Sequence, residues 1–129
     1  MSDSVRLIRS LLLAAAFLWS GAATAADAPA VRGDAKRGAD LFHNICAHCH
    51  NTNSEMSSVK APGLAGVTNR HNEAWLTQWI KSPEAFVKVD AAAKKLADAN
   101  PYKLVMPTLP EMQGEQNRLD VIEFLKTLK

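Results

Sequence analysis

Cysteine is scarce in this 129-residue chain. The two present, Cys46 and Cys49, are too close together to join distant segments, so a disulfide-stapled scaffold is excluded. An excess of one charge is also missing. Fifteen Lys and Arg stand against 13 Asp and Glu, a formal net charge of +2, which argues against nucleic acid as a partner. The longest apolar run, Leu11 to Trp19, is shorter than a membrane span and rich in small residues. Neither a strand-like alternation nor an internal repeat is visible. What remains is a small all-α chain whose limited core calls for another source of stability.

The first 25 residues read as a cleaved secretory signal. Arg6 and Arg9 form a positive n-region, Leu11 to Trp19 the apolar core, and Ala23-Thr24-Ala25 the small-x-small cleavage pattern, predicting a mature start near Ala26. An uncleaved leader would instead anchor the chain to a membrane; otherwise no membrane contact is expected. The leader has no cysteine to carry a lipid. Its removal takes away Arg6, Arg9 and Asp3 and leaves 13 basic and 12 acidic residues, a net charge of +1. Residues 26–33 read as a linker and residues 34–129 as one domain.

The two cysteines belong to the run Cys46-Ala47-His48-Cys49-His50. A C-x-x-C-H run is the attachment site of c-type haem. Two thiols on one helical turn can form thioethers to the vinyl groups of one macrocycle while the adjacent imidazole ligates its iron. Cys46 and Cys49 are the tethers on this reading and His50 the proximal ligand. Three other readings compete. A thioredoxin-like dithiol needs a βαβ context, a zinc site must recruit scattered histidines, and a plain disulfide leaves His50 without a role. A buried macrocycle would also supply the apolar surface that so small a chain lacks.

Helical signals flank the motif. Asp34 can cap a helix running to the motif, with Gly38, Phe42, Ile45 and Cys49 on one face; Gly38 marks a close backbone approach. Residues 51–66 carry Pro62, Gly63 and Gly66 and should be irregular. Asn72 can cap a helix through Lys81 bearing Trp75, Leu76, Trp79 and Ile80, and Ser82-Pro83 reads as a stop and a new start. Glu84 to Ala99 should be partly helical, ending before Pro101. Glu115 to Leu128 is the clearest helix, with Val121, Ile122, Leu125 and Leu128 on one face, and Phe124 is predicted to cover Gly38.

In this order of features the chain resembles the class I, single-haem bacterial cytochromes c. The resemblance rests on Gly38 and Phe42, Cys46-x-x-Cys49-His50, Pro62-x-Leu64, the Trp-rich helix, Met106-Pro107, and the apolar C-terminal helix with Phe124. It implies an all-α, cytochrome c-like fold in which the N- and C-terminal helices cross and shorter helices wrap round one covalently bound haem c. It also implies Met106 as the second axial ligand, with His71 the rival and Met56 and Met112 less suited. Pro62 would accept a hydrogen bond from His50, Leu64 and Trp79 would line the pocket, and Arg70 or His71 would meet a propionate. Ala61 stands where the family usually has glycine.

The resemblance implies a periplasmic electron-transfer protein rather than an enzyme. It would work with redox protein partners, as a monomer or as a subunit of a periplasmic oxidoreductase. A haem enzyme or gas-binding protein would need an open sixth site in place of Met106. The 84–105 segment looks added relative to compact family members. Its Lys88, Lys94, Lys95 and Lys103 outnumber Asp90 and Asp98 and form either a mildly basic docking surface or a solvated helix face.

Overall fold

The computed structural model describes residues 31–129. The predicted signal peptide, and the linker up to Ala30, lie outside the described residues. Among the described residues six α-helices follow in order: α1 (Ala35–Asn44), α2 (Val67–Arg70), α3 (Glu73–Lys81), α4 (Pro83–Phe86), α5 (Ala91–Ala99) and α6 (Glu115–Leu125). Short 3₁₀ turns at Cys46–His48 and Pro110–Gln113 precede the loop to α2 and the start of α6. Among the described residues there is no strand, and no helix is long and apolar enough to cross a membrane.

α1 and α6 form the frame. Asp34 caps α1 by accepting a hydrogen bond from Arg37 N, which satisfies one of the free donors of the first turn. At Gly38 the two helices come so close that a β-carbon would meet the Asp120 carbonyl and lie 2.9 Å from Phe124 Cβ. Phe124 does cover Gly38, and its ring packs 5.1 Å from that of Phe42. Phe42, Val121, Ile122 and Leu125 then close a core completed by Val67, Leu76, Ile80 and Met112.

A buried carboxylate reinforces this frame. Asp120 is 1% exposed and accepts hydrogen bonds from Asp34 N (2.7 Å), Arg37 Nε (2.8 Å), Arg37 Nη2 (2.9 Å) and Gln116 Nε2 (2.7 Å). Burying a charge is tolerated because every oxygen is so partnered. The last residues of the predicted linker are held here too, since Gln116 Nε2 also donates to Arg32 O at 2.9 Å. Arg118, 6% exposed, donates from Nη1 to Met112 O (2.6 Å) and Gln113 O (2.8 Å), fixing the turn before α6.

Two boundaries differ from those expected. α1 stops at Asn44 because Ile45 leaves helical geometry (φ −128°), so the cysteine motif sits on a 3₁₀ turn rather than on the helix. α6 ends at Leu125, and Leu128 N–H closes a final turn on Leu125 O. The 84–99 stretch is partly helical as expected, with α4 restarting at Pro83 and α5 capped by Asp90, which accepts from Ala93 N at 2.8 Å.

Candidate functional site

The Cys46–His50 turn closes on one carbonyl. Both Cys49 N and His50 N donate to Cys46 O, at 3.0 and 2.9 Å. This brings two free thiols and an imidazole onto one tight turn at the end of α1. Cys46 is half-buried against the core, and burial, with Cys49 nearby adding to it, pushes its thiol up to about 11. The thiol therefore stays protonated at neutral pH. His48 is turned back over the same segment, its Nδ1 3.0 Å from Ile45 O.

His50 is oriented from behind. Its Nδ1–H donates to Pro62 O at 2.9 Å, which leaves Nε2 as the free nitrogen of the ring. Burial pushes the imidazole below the ordinary histidine range, outweighing the opposite pull of the Pro62 carbonyl. The neutral form, the one able to ligate a metal, is favoured.

The loop supplying Pro62 is pinned on both sides. Leu64 N donates to Asn51 O (3.0 Å) and Ala65 N to Asn53 O (3.1 Å). Gly63 lies against the Asn53 carbonyl with no room for a side chain. The left-handed residue next to Ala61 is Lys60 (φ 59°), so Ala61 itself needs no glycine-like geometry. Leu64 is half-buried and packs against the core.

Arg70 is occupied within this loop. Its Nη1 donates to Ala65 O (2.7 Å) and its Nη2 to Gly63 O (3.2 Å). The guanidinium thus braces the backbone that carries Pro62 and Leu64, a role that the expected propionate contact did not foresee. His71, just after α2, stacks on Trp75 at 3.8 Å, and Trp75 stacks on Trp79 at 5.5 Å, so the three rings form a ladder that runs into α3. Burial, then Arg70, lowers the His71 pKa, with Asp90 opposing. Trp75 Nε1 donates to Asp90 at 3.0 Å, tying the ladder to the start of α5.

The three described methionines have distinct surroundings. Met112 is fully buried in the core and Met56 is 56% exposed. Met106 is half-buried, packed against the core in a stretch without regular structure. Its loop is tied by Glu84, which accepts from Thr108 N (3.0 Å) and Thr108 Oγ1. Neither Glu84 nor Thr108 carried a signal that periodicity or motif spacing could reveal, because the bond joins α4 to a loop residue 24 positions further on.

The donor set fits a covalently attached haem. It offers two free thiols on one turn, an imidazole with one nitrogen committed and the other free, and a half-buried thioether on the core's margin. The competing readings lack support. Among the described residues no three His, Cys, Asp or Glu side chains gather to hold a metal ion, and no strand supplies a βαβ frame for a redox dithiol.

Comparison with known proteins agrees with this chemistry. The sequence model of the family described as Cytochrome c matches residues 35–129, which takes in all six helices. The chain is 32% identical over 103 residues to cytochrome c of Euglena viridis, covering 75% of this chain and 99% of that protein. To cytochrome c of Stellaria longipes it is 31% identical over 107 residues, covering 73% and 92%. To that of Guizotia abyssinica it is 29% identical over 109 residues, covering 81% and 96%. These relatives are eukaryotic, and the likeness holds at the level of the family.

Proposed function

This chain belongs to the cytochrome c family, and on that premise we propose that it is an exported, bacterial electron carrier with His50 and Met106 as axial ligands. One covalently attached haem c is its cofactor and electron transfer with redox partners its work; it is not an enzyme. When bound, the haem supplies an iron that gains or loses one electron. The chain's own residues hold and tune that group.

Cys46 and Cys49 are the thioether tethers on this reading. The Pro62 carbonyl fixes the orientation of His50 and raises its basicity as a ligand. Met106 supplies a neutral thioether, which favours the reduced form and raises the potential. Leu64 and Trp79 line the pocket, and their apolar surfaces disfavour the extra positive charge of the oxidised state. With two protein ligands in place, no position is left for a substrate. The assignment to an exported protein is supported by the leader pattern in residues 1–25.

The observation that carries the reading is the turn itself, with two free thiols and an oriented imidazole on five consecutive residues. It is tested on the purified exported protein. The colour should survive acidified organic extraction and titrate reversibly with one electron, and the Cys46→Ser/Cys49→Ser double variant should release all of its haem. Extraction of the haem from the wild type would overturn covalent attachment.

A further inference from the structure

We propose that Glu84 is a positioning residue for Met106, its carboxylate clamping the methionine loop through Thr108 and so keeping the thioether at the sixth position. This rests on the reading of Met106 as a ligand given above. Residues 103–109 have no regular structure, and side chains from elsewhere set their course. Upstream, the buried Asn100 donates from Nδ2 to Lys60 O (3.1 Å), and its Oδ1 accepts from Tyr102 N (2.8 Å) and Leu104 N (3.3 Å). Downstream, Glu84 uses both carboxylate oxygens on one residue, accepting from Thr108 N and Thr108 Oγ1.

The position of the clamp matters more than its strength. Thr108 is two residues beyond Met106, with Pro107 between. The proline ring fixes φ, so few free torsions separate the held residue from the ligand. Gln113 adds a second tie, donating from Nε2 to Lys81 O (2.9 Å) and Leu109 O (3.2 Å). The loop is thereby fastened to the α3–α4 junction, where Pro83 is buried. A ligand supplied by the chain competes with outside ligands through its effective concentration. Releasing Thr108 lets the loop explore more conformations and lowers that concentration.

Glu84 and Thr108 are themselves exposed, outside the apolar core. Cutting the bond therefore loosens the loop without opening the fold. Burial or packing alone would not give that separation.

The test titrates the oxidised holoprotein with imidazole, following the far-red sulfur-to-iron band, in wild type, Glu84→Ala, Thr108→Val, Thr108→Ser and Met106→Ala. Glu84→Ala and Thr108→Val should bind imidazole about threefold more tightly than wild type, the scale of an exposed charge-assisted bond. Thr108→Ser keeps the hydroxyl and should match wild type, and the Glu84→Ala/Thr108→Val pair should be less than additive. If those two variants bind imidazole as wild type does while Met106→Ala binds it more tightly, the clamp is overturned and the ligand reading stands. If Met106→Ala changes neither the band nor the affinity, Met106 is not the ligand and the clamp falls with it.

Discussion

Gly38 and Asp120 meet where α1 passes close against α6, the Cα of the first facing the backbone carbonyl of the second. A methyl group at Gly38 would strike that carbonyl and Phe124 Cβ. Backbone cannot swing aside as a long side chain can, so Gly38→Ala must push the helices apart. We expect a loss of about 3 kcal/mol, read as a lower urea midpoint of the holoprotein. A midpoint equal to wild type would show that the frame tolerates separation.

Acid should unlock the same frame. The Arg37 hydrogen bond, followed by those from Gln116 and Asp34 N, holds the Asp120 carboxyl below the ordinary aspartate range. A carboxyl depressed in the folded state contributes stability that is complete above its unfolded pKa and is lost as pH falls through its folded one. Unfolding midpoints measured from neutral pH into the acid range should therefore fall. Asp120→Asn should lose about 2 kcal/mol at neutral pH and show a shallower acid limb. An acid limb as steep as that of wild type would assign it to other carboxyls.

Asp90 does two things at once, capping α5 through Ala93 N and accepting from Trp75 Nε1. Its carboxyl is lowered by those two bonds, the cap first. Replacing it with alanine should destabilise α5 first. Hydrogen exchange should quicken at the amides of residues 94–99 in Asp90→Ala and stay unchanged in α6. Equal acceleration in both helices would mean that α5 does not open on its own.

The leader makes a prediction that mass spectrometry reads directly. If residues 1–25 are a cleaved signal, the exported protein begins near Ala26. Retention of residues 1–25 on protein extracted from membranes would favour an uncleaved anchor.

Periodicity and motif made much of this molecule legible. The frame helices, the Gly38–Phe124 contact, the Asn72 and Asp34 caps and the irregular 51–66 loop all follow from local rules. Helix ends were less legible, because Ile45 breaks α1 through a backbone turn that no punctuating residue marks. Apart from the His50–Pro62 bond, which the resemblance implied, side chains that brace other parts of the chain were not legible. Arg70 reads as a surface cation until the Gly63 and Ala65 carbonyls come within its reach. Asp120 and Glu84 likewise take their roles from partners 83 and 24 residues away.

The central claim is tested most directly by the visible spectrum of the oxidised protein, for wild type and Met106→Ala. The account predicts a low-spin c-type spectrum with a weak far-red band that disappears in the variant. A wild-type spectrum already high-spin, or a far-red band that survives Met106→Ala, would contradict it.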